Sequence, residues 1–160
     1  LNLEPHRIGH LLQNCLARVE PLARGNNVQL KLHDLSQRAV VLADEDNLQQ
    51  VLLNLVGNAI KFSPPGTAVH VEAKNSNEQG FAIITVRDEG PGIPEEEQHY
   101  VFDTFYRGKS SRDQIDGTGL GLSISKRIVR AHGGDMWLED TEGGQGCAFS
   151  FSLPKQESSW

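Results

Sequence analysis

The stretch Asn54-Leu55-Val56-Gly57-Asn58-Ala59-Ile60-Lys61-Phe62 has the pattern of a helix with one polar and one apolar side. Its polar residues recur at intervals of four and three positions, which places them on one helical face: Asn54, Asn58 and Lys61. The apolar residues of the opposite face recur from Leu48 onward. We therefore predict a helix that is capped by Asp44 and ended by Pro64-Pro65-Gly66.

The polar face of this helix suits two kinds of ligand. Amide oxygens are ligands that Mg²⁺ accepts, and a lysine ammonium binds phosphate as a point charge. The same three side chains also fit an ordinary solvent-exposed surface, and the helix alone does not decide between the two interpretations.

The pattern elsewhere predicts two further helices and a set of strands. An apolar repeat of helical spacing runs from Ile8 to Leu22 and stops at Gly25-Asn26-Asn27, and another runs from Leu120 to Ala131. Alternating or apolar runs predict strands near residues 28–32, 39–42, 67–73, 81–87, 136–139 and 147–153. We expect one α+β domain at 1–154, a mixed sheet covered by helices on one face, and then a polar tail at 155–160.

Composition narrows the class of protein. The chain has 160 residues and a net charge of −6, which argues against a general nucleic-acid or anionic-membrane surface. No apolar run approaches the roughly 18 residues of a membrane-spanning helix. Cys15 and Cys147 lack the spacing of a metal site, so we expect two thiols outside any disulfide. The chain begins at Leu1 rather than at a methionine, and we take it for part of a longer protein.

Two glycine-rich stretches flank a long polar segment. Asp88-Glu89-Gly90-Pro91-Gly92-Ile93 follows a predicted strand, and Gly117-Thr118-Gly119-Leu120-Gly121-Leu122 opens the last helix. The first stretch is either a simple turn or part of a binding site, in which a carboxylate and a closely approaching backbone contact a flat ring. The second offers backbone N–H groups to an anion, although its spacing matches neither a phosphate-loop nor a dinucleotide fingerprint. The segment between them is longer than an ordinary connection, which is typical of a functional lid.

Taken in order, these stretches resemble the catalytic domain of two-component sensor histidine kinases, within the ATPase superfamily shared with gyrase, the heat-shock ninety chaperone and the MutL mismatch-repair proteins. The resemblance runs from about Ala43 to Pro154. It adds a phenylalanine box, Phe102-Asp103-Thr104-Phe105-Tyr106-Arg107, and a closing Ala131-His132-Gly133-Gly134. It implies a Bergerat-type two-layer α/β sandwich that binds ATP and Mg²⁺ between its helices and a mobile ATP lid.

The resemblance also implies which residues hold the base of the nucleotide. Asp88 would accept a hydrogen bond from the adenine amino group, and Gly92 would let the backbone approach the ring. Gly90 and Ile93 belong to the same box. Phe62, at the end of the helix quoted above, would flank the adenine or the ribose.

On the phosphate side, the resemblance implies that Asn58 binds Mg²⁺ and that Asn54 supports the metal or the phosphates. Lys61 would contact phosphate, and Arg107 would reach the terminal phosphate. The lid would contribute backbone groups from a run that leads into the last predicted helix: Gly117, Thr118, Gly119, Leu120 and Gly121.

The identity of Asn54 favours phosphoryl transfer over hydrolysis. Relatives that hydrolyse ATP usually have a glutamate at this position as the base for water, and an amide cannot accept that proton. The resemblance therefore implies a protein-histidine kinase that donates the terminal phosphoryl group of ATP to a histidine on a separate dimerisation domain, for relay to a response regulator. A nucleotide-dependent binding or scaffold module without transfer activity is the alternative.

None of the six histidines has the sequence context of the family's phosphoacceptor, in which an acidic residue and an Arg/Thr-Pro-Leu-like run follow the histidine. We therefore expect the accepting histidine to lie on another domain. We expect the chain on its own to be a monomer outside the membrane, without a nucleic-acid partner, in the cytoplasmic part of an inner-membrane sensor. One departure from the family is Cys147-Ala148, where many relatives carry Ser or Thr near the adenine.

Overall fold

The structure is a computed structural model that describes residues 1–78, 80–103, 121–139 and 145–156. Its described helices are α1 (Ile8–Gly25), α2 (Glu45–Phe62), α3 (Gly121–Ala131) and a 3-10 helix (Glu95–Tyr100). Its described strands are β1 (Glu4–Arg7), β2 (Gln29–Leu35), β3 (Val40–Ala43), β4 (Ala68–Asn75), β5 (Phe81–Pro91), β6 (Met136–Leu138) and β7 (Gln145–Pro154). None of the described helices combines the length and apolarity needed to cross a bilayer.

Five strands form one mixed sheet in the order β2-β4-β5-β7-β6. β2 and β4 run parallel, and the other neighbours are antiparallel. Along β5 buried residues alternate with more exposed ones, since Ala82 and Ile84 are buried whereas Phe81 and Ile83 are only partly buried. The buried side carries the hydrophobic core against the helices, and Phe151 is the largest fully buried side chain of this core. This arrangement confirms the predicted α+β fold, a mixed sheet packed by helices.

A second, two-stranded sheet contains β1, which the sequence pattern does not predict. β1 pairs antiparallel with β3, and His6 lies opposite Val41. The sequence Glu4-Pro5-His6-Arg7 has no apolar alternation and contains a proline, which strands accept mainly at edges. The strand therefore forms because the partner edge of β3 is available, and its own residues carry no strand signal.

The other edge of β3 holds the first two residues of the predicted tail. Lys155 forms a bridge with Val41, and the Gln156 backbone N–H donates to the carbonyl oxygen of Val40 at 2.7 Å. Strand β3 is therefore flanked by β1 on one side and by residues 155–156 on the other.

The predicted cap of α2 is confirmed. Asp44 Oδ1 accepts a hydrogen bond from Asn47 N at 3.2 Å, and Asp44 Oδ2 accepts one from Asn2 N at 2.9 Å. The backbone hydrogen bonds from Asn2 and Asn47 lower the pKa of the Asp44 carboxyl group. The carboxylate lies at the end of α2 where the helix dipole favours negative charge.

His132 fastens the end of α3 to the start of α2. Its ring is 5% exposed, and Nε2 accepts a hydrogen bond from Asp44 N at 3.0 Å. Since the accepting nitrogen is unprotonated, Nδ1 carries the proton and donates it to the carbonyl oxygen of Ile128 at 2.8 Å. His132 is therefore a packing residue, in agreement with its lack of a phosphoacceptor sequence.

The 3-10 helix lies in the stretch that the sequence predicts to be a long polar connection. Ile93 before it and Val101 after it are 8% and 3% exposed, and Gln98 Nε2 donates to the carbonyl oxygen of Ile93 at 3.0 Å. These anchors lie outside the helical turn itself, so the apolar spacing within residues 95–100 gives no helical signal. The prediction of an irregular connection is wrong for these six residues.

Both cysteines are buried and neither forms a disulfide, as predicted. Burial raises the pKa of the Cys15 thiol to about 12, against an opposing effect of Arg18. Since the thiolate is the reactive form of cysteine, Cys15 is a packing residue with little reactivity at neutral pH.

Candidate functional site

The polar face of α2 meets α3 through the side chain of Asn54. Asn54 Nδ2 donates a hydrogen bond to Ser125 Oγ at 3.1 Å. Asn54 Oδ1 accepts one from Asn58 Nδ2 at 3.5 Å. The first residue of α3 also lies against this amide, since a Cβ added to Gly121 would be 2.6 Å from Asn54 Oδ1. The helical spacing predicted the shared face of Asn54 and Asn58, and the structure adds its contact with α3.

Within the described part of the chain, the oxygen of this amide pair that has no donor belongs to Asn58. Its nitrogen is directed to Asn54, and no donor from the described residues is bonded to Asn58 Oδ1. Lys61 lies exposed at the last turn of α2 on the same face. An oxygen ligand and an ammonium group on one helical face are suited to a divalent cation and the phosphates that bind it.

The buried carboxylate of Asp88 lies where β5 leaves regular pairing. Asp88 is 5% exposed and lies opposite Cys147 on β7, whereas the next paired residue, Pro91, lies opposite Gln145. The intervening residues form a bulge, and Gly90 N donates to Asp88 Oδ1 at 2.9 Å. A bulge of this kind turns the chain and directs side chains at the edge of a site.

Two glycines allow the bulge to lie close to neighbouring backbone. A Cβ on Gly90 would overlap the carbonyl oxygen of Phe62, the last residue of α2. A Cβ on Gly146, which has a φ of +75°, would overlap the carbonyl oxygen of Asp88. The glycine at position 90 therefore allows the strand with the carboxylate to contact the helix with the amides, and both halves of the predicted site meet at Phe62.

The structure places most of the predicted site residues at this junction of α2, β5 and α3. Ile93 is buried and Gly92 is half-buried just beyond the bulge. Phe102 packs edge-to-face on Phe149 of β7, with ring centroids 5.9 Å apart, and Lys126 Nζ lies 4.2 Å from the centroid of the Phe102 ring. The start of the predicted phenylalanine box is therefore attached to both the sheet and α3.

Some predicted residues lie outside the described residues: Arg107, Gly117, Thr118, Gly119 and Leu120. Of the predicted lid between the two glycine-rich stretches, residues 104–116 lie outside the described residues too. One contributor was missed by the sequence analysis, Ser125, which is 2% exposed. Its signal was the spacing of Gly121 and Ser125, two small residues four positions apart on one face of the last helix.

Comparison with protein families gives one match across most of the chain. The model of the family "Histidine kinase-, DNA gyrase B-, and HSP90-like ATPase" matches residues 43–157. The sensor histidine kinase WalK of Bacillus subtilis (strain 168) is 44% identical over 121 residues, which are 73% of this chain and 20% of WalK. The adaptive-response sensory kinase SasA of Synechococcus sp. (strain JA-2-3B'a(2-13)) is 39% identical over 90% of this chain and 37% of SasA. The chain thus spans about a fifth to two fifths of the length of these relatives.

Solved structures of histidine kinases share the fold. The mycobacterial sensor histidine kinase MprB has a TM-score of 0.82 and 31% identity, over 98% of this chain and 99% of that chain. The catalytic domain of histidine kinase ThkA has a TM-score of 0.83 and 29% identity, over 97% of each chain. Full-length ShkA in complex with AMPPNP has a TM-score of 0.84 and 33% identity, over all of this chain and 32% of ShkA.

Proposed function

This chain belongs to the family of histidine kinase-, DNA gyrase B- and HSP90-like ATPases, and we propose that it binds Mg²⁺-ATP and donates the terminal phosphoryl group to a histidine on a separate domain. The observation that carries the proposal is the contact between Gly90 and Phe62, which joins the buried Asp88 carboxylate to the amide and lysine face of α2. From this contact back along one face of α2, the Lys61 ammonium group comes first and the Asn58 amide oxygen lies about one turn further. Together with the Asp88 carboxylate they form the proposed nucleotide-binding surface.

The base end of this surface suits adenine. The buried carboxylate of Asp88 accepts a hydrogen bond from an amino group, and adenine presents one on its edge. Gly92 and Ile93 follow the bulge and provide backbone and an apolar side chain for a flat ring. Phe62 closes the other side at the end of α2.

The metal end suits Mg²⁺ that arrives with the nucleotide. Mg²⁺ in nucleotide enzymes usually keeps several waters and binds one or two protein oxygens plus phosphates. Asn58 Oδ1 provides one such oxygen, and the described residues contain no cluster of three His, Cys, Asp or Glu side chains that could hold a metal without nucleotide. Bound Mg²⁺ would neutralise phosphate charge, and Lys61 would contact phosphate. Arg107, which lies outside the described residues, would reach the terminal phosphate, as the sequence motif implies.

The chemistry of Asn54 favours transfer to a histidine rather than to water. Its amide has no basic site for the proton of an attacking water, and its Nδ2 donates to Ser125. Phosphoryl transfer then depends on a nucleophile that is brought into line with the terminal phosphate. A histidine on a helical domain of the same longer protein would supply that nucleophile, and a response regulator would receive the phosphoryl group.

The proposal is tested with ATP radiolabelled at the terminal phosphate. The chain alone should bind ATP and acquire almost no label. The chain joined to the histidine-bearing domain of its own longer protein should acquire label that is stable in base and lost in acid, as expected for phosphohistidine. Fast release of phosphate without a partner would indicate a hydrolytic ATPase, and ATP binding without transfer in the joined protein would indicate a scaffold module.

Asn58→Ala should weaken the binding of Mg²⁺-ATP about three- to tenfold, the equivalent of one lost polar contact. The affinity for ATP in the presence of a chelator should change less than about twofold, because only the metal-dependent part of binding uses Asn58 Oδ1. Calorimetric titration with a non-hydrolysable analogue measures both affinities. Gln50→Ala, which removes an exposed amide from the same helix, is the matched control. Equal losses with and without Mg²⁺ would show that Asn58 shapes the pocket instead.

A further inference from the structure

Ser125 is a buried hydroxyl at the contact between α3 and the polar face of α2. It is 2% exposed, and its Oγ accepts the hydrogen bond from Asn54 Nδ2 at 3.1 Å. A buried hydroxyl is costly unless it is paired, and here the pairing is to a site residue 71 positions earlier in the chain. None of the roles assigned above uses this serine.

Ser125 Oγ supplies the acceptor for the amide nitrogen of Asn54. An amide has a donor end and an acceptor end in one plane, so fixing Nδ2 on Ser125 directs Oδ1 to the opposite side. That oxygen accepts from Asn58 Nδ2 at 3.5 Å. If the Asn54 amide were reversed, Asn58 would have to reverse as well to keep a donor opposite an acceptor, and its NH₂ group would then face the ligand.

The orientation of Asn54 in turn fixes Asn58. With Asn58 Nδ2 directed to Asn54, the Asn58 oxygen is the end of the amide that remains for a ligand. Gly121, one turn before Ser125, leaves the space that the Asn54 amide occupies, because a Cβ at position 121 would lie 2.6 Å from Asn54 Oδ1. The Gly121–Ser125 edge of α3 therefore supports the arrangement in which the oxygen of Asn58 faces the metal, because it gives Asn54 Nδ2 a partner.

We propose that Ser125 is a positioning residue for the metal-dependent part of ATP binding, acting through Asn54 on the oxygen of Asn58. The inference rests on the proposed function, and it deepens it by making the position of α3 a condition for metal binding.

The test is a set of variants titrated with a non-hydrolysable ATP analogue, with Mg²⁺ and with a chelator. Ser125→Ala should weaken Mg²⁺-ATP binding about three- to tenfold, and binding in chelator by less than about twofold. Ser125→Thr keeps a hydroxyl and should restore most of the Mg²⁺-dependent gain. The double variant Ser125→Ala/Asn54→Ala should lose no more affinity than Asn54→Ala alone, because both changes break the same hydrogen-bonded chain from Ser125 through Asn54 to Asn58.

Ser36→Ala is the matched control, because Ser36 is 1% exposed and its hydroxyl bonds to Asp34, away from the site. It should leave the Mg²⁺-dependent gain unchanged. Equal losses with and without Mg²⁺ in Ser125→Ala, or losses that add in the double variant, would overturn the assignment. If the wild-type chain gains nothing from Mg²⁺, the proposed function fails first. If the wild type gains and Ser125→Ala gains equally, only the role of Ser125 fails.

Discussion

Asp88→Ala should weaken ATP binding about 10- to 150-fold, because the adenine amino group loses a buried, charged acceptor. The residue is 5% exposed, so water does not readily replace the missing carboxylate. The structure adds a second expectation: the variant also loses the hydrogen bond from Gly90 N to Asp88 Oδ1, which should lower the free energy of unfolding by about 1 kcal/mol. Calorimetric titration and denaturant unfolding measure the two effects separately.

Asp88→Asn removes the negative charge of residue 88 but keeps the oxygen that supports the bulge. Its Oδ1 keeps the acceptor for Gly90 N, while its NH₂ group faces the adenine amino group and repels it. The same NH₂ group would donate to the O6 acceptor of guanine, so this variant should lose most of its preference for ATP over GTP. Glu89→Ala removes the neighbouring exposed carboxylate and should change ATP affinity by less than about twofold. Unchanged ATP affinity in both Asp88 variants would remove Asp88 from the site.

Phe151→Ala should lower the free energy of unfolding by about 3–5 kcal/mol. Phe151 has 0% exposure and lies between Ile84 of β5 and Met136 of β6 in the register of the sheet. Its removal would leave a cavity on the core side of β7 that the paired strands β5 and β6 cannot readily fill. Since domains of this size are stable by about 5–15 kcal/mol, the loss is a large fraction of the total.

The matched control is Phe81→Ala, which deletes the same side chain from the outward, partly buried side of β5. It should cost less than half as much as Phe151→Ala in the same denaturant titration. A cost below about 1.5 kcal/mol for Phe151→Ala would contradict the packing of this face against the helices.

Local sequence signals were sufficient for the elements that carry them. The cap at Asp44, the amphipathic period of α2 and the alternation along β5 each follow from residues a few positions apart, and each is found where it was predicted. β1 could not be predicted, because its residues become a strand only beside β3. The strand order of the sheet is likewise set by contacts between distant residues rather than by any one segment.

The candidate site shows the same division. The shared face of Asn54 and Asn58 follows from helical spacing. That another group can approach the backbone closely at Gly90 follows from its lack of a side chain. The partner of each group does not follow. Ser125 and Phe62 are identified as the contacts of Asn54 and Gly90 only once α3 and β5 are placed against α2. Periodicity predicts which side of an element is polar, but not which distant atom it meets.

The position of β3 between β1 and residues 155–156 has a consequence for engineering. Strands in a sheet lie about 4.8 Å apart, so β1 and residues 155–156 are roughly 10 Å from each other across β3. Both run antiparallel to β3, so Gln156 lies beside Val40 whereas Glu4 lies beside Ala43, and a linker between them must also return roughly 10 Å along β3. A linker of about eight glycine and serine residues would span both distances and allow circular permutation. New termini could be opened between Gln37 and Arg38, an exposed turn where both residues have positive φ. The permuted chain would place a fluorescent or affinity tag on that turn while β1 and residues 155–156 stay paired with β3.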